Sequence, residues 1–295
     1  MFAAAASAMF AGGKMPRPAT WICPTCSNRR RARFCPQCGE ERLRANDLSV
    51  RHLAKQIMAA TSSVDGKLVR SWRMLLTRPG HLTAAYIGGE RRRYITPLAL
   101  FFIGNALFVA VQSLTGINVL SSPLESHLHS QDWSSFVQSL VQARLIDRQL
   151  TLDAYAPVFD RSAIFNAKAL IILMALAFAL LPAIVFSGRQ RRAGVHIVFA
   201  LHLYAFVLVL LSVAVLLAQL DVAAGGGGLR SGPVDKVLSL LNLLVCGGYI
   251  ALALPKVYRT SGWRNWLAAV FLTSVVATLF IGYRFAIFLI TFATT

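Results

Sequence analysis

Five stretches of predominantly apolar residues dominate this chain, at about 96–115, 165–186, 195–219, 236–255 and 266–292. A helix needs about 20 such residues to cross the hydrocarbon of a bilayer. There the backbone must satisfy its own hydrogen bonds, so an apolar run of that length has few alternatives to a helix. The fold class that follows is an all-α polytopic membrane protein with about five transmembrane helices. Composition agrees, with 56% hydrophobic and 14% charged residues, where a soluble domain carries roughly a quarter charged.

The loops set an orientation. Loop 187–194 carries Arg189, Arg191 and Arg192, and loop 256–264 carries Lys256, Arg259 and Arg264, neither with an acid. Segment 116–164 holds five acids against three basic residues, and the Gly-rich loop 220–235 holds Asp221 and Asp235 against Arg230. Basic loops face the cytoplasm. The N-terminus is therefore expected inside and the C-terminus outside. Arg284, near the outer end of the last stretch, is expected to snorkel outward. An alternative ends that span near Tyr283 and leaves residues 285–295 in the interface. Asp132 could cap a helix in the outer segment, which is expected to form a small helical cap on the bundle.

The most specific motif lies ahead of the spans, in Cys23–Gly39, CPTCSNRRRARFCPQCG. Cys23, Cys26, Cys35 and Cys38 form two Cys-x-x-Cys pairs. Such pairs in a reducing compartment read as metal binding rather than disulfides. Two intervening residues let both sulfurs of a pair turn toward one ion, and four thiolates close a tetrahedral Zn2+ site with no open position. The site is thus structural: it can hold about 20 residues that could not otherwise build a core. Pro24 and Pro36 occupy equivalent places in the two knuckles.

Basic residues crowd this end. Between Lys14 and Tyr94 there are 17 Lys/Arg against 5 Asp/Glu. Arg29, Arg30, Arg31 and Arg33 lie between the cysteine pairs, and Arg91, Arg92 and Arg93 directly precede the first apolar stretch. Both clusters could contact phosphate or anionic lipid, at roughly 1 kcal/mol per residue near the surface. A solvated loop under positive-inside bias is the favoured explanation of the first cluster. No helix with base-reading side chains accompanies it, which argues against sequence-specific nucleic-acid binding.

The division expected is a disordered leader over 1–20, the ribbon over 21–44, basic amphipathic or interfacial helices over 45–95, and the bundle over 96–295 with its outer segment 116–164. Met15 offers an alternative start. Helical periodicity marks 47–62 and the stretch containing Leu68, Trp72, Leu75 and Leu76. Pro79-Gly80 ends the latter, and Gly88-Gly89 makes a break.

Little points to catalysis. No Gly-x-Ser-x-Gly, His-Glu-x-x-His or phosphate loop is present, and the five apolar stretches contain no Asp or Glu. His127 and His129, with Glu125 and Asp132 nearby, could ligate a metal only in extended chain. His196 and His202 lie about 120° apart on a helix and share no face. Asn105, Asn166, Asn242 and Gln112 suit interhelical hydrogen bonds.

The order CPTC…FCPQCGEE followed by DGKLVRSWRMLLTRPGHLTAAYIGGERRRYITPLALFF resembles the bacterial domain-of-unknown-function family 3667, over roughly residues 21–110. The resemblance implies a zinc ribbon, a segment whose distinctive positions fall on Arg78, Pro79, Gly80, Tyr86, Gly88, Arg91, Arg93, Tyr94 and Pro97, and then several spans in a bacterial inner membrane. It implies no activity. The expectation is a non-enzymatic scaffold or regulator whose cytoplasmic ribbon and basic helices dock a protein partner or anionic lipid. The alternative is a transporter or permease for a neutral or lipid-like solute.

Overall fold

The computed structural model describes residues 20–30, 32–42, 65–188 and 192–295. The helix expected over 47–62, nearly all of the leader, Arg31, Arg189 and Arg191 lie outside the described residues. Strands β1 (Trp21–Ile22) and β2 (Arg29–Arg30) belong to the ribbon. Helices α1 (Asp65–Thr77), α2 (His81–Gly88) and α3 (Pro97–Thr115) follow. Then come α4 (Leu124–His129), α5 (Ser134–Arg148), α6 (Leu152–Ala169) and α7 (Ile172–Val185). The chain closes with α8 (Ala193–Ala223), α9 (Gly232–Tyr258) and α10 (Gly262–Thr294).

Four of these, α3, α8, α9 and α10, are long and apolar enough to cross a membrane; the bent pair α6 and α7 brings the number to five. Helix α3 starts where Thr96 accepts from the Ala99 amide and Pro97 takes the first helical position, the pairing favoured at helix starts. Helix α8 is the hub. Two-thirds (67%) of its apolar window is buried, against 33%, 33% and 28% for α3, α9 and α10, so α8 faces protein while the others turn large faces outward. It packs on α3, α7 and α9. Gly247 lets α9 approach α10, where a Cβ would meet Thr273 Oγ1 at 3.3 Å.

Three features differ from the sequence reading. The stretch 165–186 is not one straight span: α6 and α7 meet at a 49° bend. The carbonyls of Ala167 and Lys168, at the break, accept from Tyr283 Oη (2.7 Å) and Asn105 Nδ2 (3.5 Å). Side chains from other helices can thus satisfy backbone groups at a break inside an apolar layer. Second, the stretch expected over 266–292 is part of a longer helix, Gly262–Thr294, which passes Tyr283 without a break. It runs 33 residues, about 50 Å at 1.5 Å per residue, well beyond a ~30 Å hydrocarbon layer. One face of its distal turns is buried against α4–α6, which form the expected helical cap: Phe288 lies against His127 and Phe159 in tilted contacts, and Tyr155 Oη meets Thr295 Oγ1 at 2.8 Å. Third, Asp132 does not cap α5. That helix begins at Ser134, with Trp133 at the cap position and no side-chain cap bond.

At the opposite end, α1 and α2 form a helical hairpin on the bundle. Its tip, Pro79-Gly80, docks on α9: Lys256 Nζ donates to the Pro79 carbonyl (3.0 Å), and Gly80, at φ 76°, leaves no room for a Cβ beside the Ala253 backbone. Thr83 Oγ1 and His202 Nδ1 sit 2.9 Å apart, joining α2 to α8. Trp72 of α1 reaches Gly104 of α3. These two helices pack on each other and on the bundle.

Candidate metal centre and its membrane collar

The ribbon is built from two copies of one knuckle. In the first, the Cys23 amide donates to the Asn28 carbonyl and the Ser27 amide to the Cys23 carbonyl. In the second, the Cys35 amide donates to the Glu40 carbonyl and the Gly39 amide to the Cys35 carbonyl. Ser27 (φ 59°) and Gly39 (φ 71°) take the same left-handed turn. The flanking pairs also match: β1 and β2 pair Ile22 with Arg29, and an isolated bridge pairs Phe34 with Glu41. The repeat visible in Pro24 and Pro36 is thus a repeat of backbone structure.

The copies bring all four sulfurs within 4.8 Å of one another. Cys23 and Cys38 are separated by 3.4 Å, Cys26 and Cys35 by 3.5 Å, and Cys26 and Cys38 by 3.8 Å. A tetrahedron of ~2.3 Å metal–sulfur bonds has edges of about 3.8 Å, so the set fits a tetrahedral thiolate site. No pair approaches the ~2.05 Å of a disulfide. The amides of Cys38 and Gln37 favour the Cys35 thiolate; with help from neighbouring sulfurs they outweigh burial and draw this thiol down to about 6. At Cys38 the Glu40 amide pulls the same way, but burial and the adjacent sulfurs win and push it up to about 12. Cation binding itself favours thiolates over thiols. Cys246 lies apart, buried in α9.

The ribbon is fastened to the start of α3. Glu40 is 2% exposed; its Oε2 accepts from Thr25 Oγ1 (2.8 Å) within the ribbon and from the Arg92 amide (3.2 Å) outside it. The Arg92 guanidinium lies against Gly39, where a Cβ would strike it. Gly39 thus eases the left-handed turn, and a side chain there would displace the Arg92 guanidinium. Around Arg92, the backbone is held by α1: the Ile95 amide donates to Ser71 Oγ (3.0 Å) and Arg70 Nη1 to the Arg93 carbonyl (3.3 Å). Arg91 and Arg93 lie over the rings of Tyr86 and Tyr94, at 5.3 and 5.9 Å. Residues 65–109, which make up this hairpin, collar and first half of α3, match the family described as Protein of unknown function (DUF3667). The match excludes the cysteines. No curated protein and no solved structure matches the chain.

The expected basic residues divide. Arg29, Arg33, Arg92 and Arg93 are exposed, while Arg30 and Arg91 are half-buried. Arg33 is paired with Glu41 at 2.7 Å, and Arg93 approaches Glu90 only to 3.9 Å. His127 and His129 are not brought together: His127 is buried and accepts from Trp133 Nε1 (3.1 Å), while His129 faces Glu125 at the surface. Glu40 is the residue sequence reading missed. It is an acid amid arginines directly after the last knuckle, and local spacing says nothing of a partner 52 residues away.

Proposed function

We propose that this protein is a non-enzymatic scaffold or regulator of the bacterial inner membrane, whose structural zinc ribbon and arginine collar together dock anionic lipid headgroups on the cytoplasmic side. The carrying observation is the Glu40–Arg92 junction, which fastens the metal module to the point where α3 enters its apolar run. Exposed Arg92 and Arg93 then stand beside the metal-folded surface, and a basic surface there is attracted to an anionic leaflet. The basic loops support a cytoplasmic N-terminus and a periplasmic C-terminus. Zn2+ suits a closed four-thiolate set better than harder cations.

Two measurements test this. Freshly prepared, reduced protein should carry about one equivalent of zinc; less than about half an equivalent overturns the zinc assignment. In nanodiscs, replacing neutral lipid by phosphatidylglycerol should protect 21–42 and 90–96 from hydrogen exchange, and Arg92→Gln with Arg93→Gln should remove that protection. Equal protection without anionic lipid sinks the lipid reading. If crosslinks from the ribbon instead capture one protein, and Cys35→Ser with Cys38→Ser removes it, the docked species is a protein partner. A cavity at the cap end, between the loop after α3, α6, α8 and α10, favours a second reading, a permease for a neutral or lipid-like solute; uptake into proteoliposomes tests it.

A further inference from the structure

At the cap end, a cavity of about 1050 Å³ opens between the end of α3, the loop that follows it, α6, α8, the Gly-rich turn and α10. Arg284 lines it. Its Nη2 donates to the Val119 carbonyl at 2.9 Å, in the loop that follows α3. Among the described residues no carboxylate comes within 4.0 Å of it. A guanidinium has five N–H donors, and its fork matches carboxylate or phosphate oxygens.

The cavity has a second polarity. Asp160 and Asp235 line it, as does Arg230. Asp160 is held in place by the Leu124 amide on Oδ1 (2.7 Å), and Asp235 stands exposed in the first turn of α9. Asp221, nearby, is occupied with the Gly228 amide. Two cations against two carboxylates give a plain anion as much repulsion as attraction, whereas a zwitterion meets both signs favourably. Ile117, Ile164, Val222 and Leu229 add apolar wall.

Depth selects the source. Arg284 lies about 33 Å along α10 from Gly262, close to the ~30 Å of a hydrocarbon layer. That is where headgroups begin, and the volume is generous for a small free zwitterion. We infer that this cavity binds the phosphoethanolamine group of a zwitterionic phospholipid, its phosphate on Arg284 with Arg230 and its ammonium on Asp160 and Asp235. This site is independent of the ribbon-end reading.

The test uses the full chain. Native mass spectrometry of protein extracted from bilayers of equal phosphatidylethanolamine and phosphatidylcholine reads retained lipid. Calorimetric titration with glycerophosphoethanolamine and glycerophosphocholine reads the soluble esters. Phosphatidylethanolamine should be retained over phosphatidylcholine, whose quaternary ammonium offers no N–H donor. Arg284→Gln should lower its retention about tenfold, and Asp235→Asn should weaken the preference about threefold. Saturable binding of glycerophosphoethanolamine as well would name the soluble ester as a second source; binding confined to the lipid would name the bilayer alone. Absence of both, or unchanged retention in Arg284→Gln, overturns the proposal. Should Arg284→Gln not fold, Asp235→Asn decides, since its side chain is exposed: an unchanged preference also overturns it.

Discussion

The ribbon and the cap close opposite ends of one bundle by different means. Among the described residues of the ribbon only Cys23, Cys35 and Glu40 are buried, while Ile22 and Phe34 are 59% and 46% exposed. The cap buries Leu124, His127, Leu128, Val137, Val141 and Phe159, and the end of α10 adds Ile287 and Phe288. A module with so little apolar burial needs a ligand to hold it, whereas the cap has an ordinary core. The difference separates their sensitivities: the ribbon should answer to metal and to whatever competes for its thiolates, and the cap to packing and the protonation of His127.

Metal removal has the largest expected effect. Apparent binding free energies for structural zinc in small modules run ~10–16 kcal/mol, so chelation or Cys35→Ser should unfold the ribbon outright. Hydrogen exchange should show 21–42 unprotected while 120–165 is unchanged. Joint loss at both ends would break the comparison. Next comes Phe288→Ala, which opens a hole among His127, Phe159 and Phe285 and should cost the cap about 3–5 kcal/mol. Zinc content should stay constant, and a fall would mean the ends are coupled.

Acid should act on the cap through His127, separately from its competition with the metal for the thiolates of the ribbon. Burial, then the charge of Arg284, pulls His127 down to about 4, against an ordinary value near 6.5. Between these values the unfolded chain binds a proton that the folded cap does not. The stability from neutral His127 is therefore complete above about pH 6.5 and lost progressively toward pH 4, by at most about 3 kcal/mol. Exchange rates in 124–165 measured from pH 7 to 4, corrected for intrinsic chemistry, should rise in wild type and stay flatter in His127→Gln. Equal slopes would show that another group sets the response. The smallest effect belongs to the fastening. Glu40→Ala removes bonds to Thr25 and the Arg92 amide and should cost roughly 1–2 kcal/mol. The Arg92 amide should exchange faster with the metal still bound; loss of metal would show that docking supports the knuckles.

How far the sequence reached can be read from particular residues. The ligand set was legible because each Cys-x-x-Cys turn is local: knuckle hydrogen bonds span no more than five residues. The collar was legible as charge, but not its attachment, since Glu40 meets Arg92 across 52 residues. The bend between α6 and α7 was hidden because residues 165–186 read as continuously apolar, and the groups that satisfy the bend, Asn105 and Tyr283, come from other helices. Arg284 was legible as a charge near the far end of the last span, but not its partner, the Val119 carbonyl 165 residues away, nor the cavity it lines.

By itself, then, the sequence determined which residues could ligate a metal and which stretches are too apolar for water. Both follow from short-range chemistry: thiolate spacing along a turn, and the energy of an unpaired backbone group in hydrocarbon. Only the tertiary structure decided what each apolar face meets. Lipid tails and buried Leu or Phe side chains are equally apolar, so composition cannot distinguish α8 enclosed by protein from α9 turned outward, nor the last turns of α10 buried in the cap from a segment lying in the bilayer. The same ambiguity hid the cap-end cavity, whose charged residues come from four separate segments and meet only once the bundle has packed.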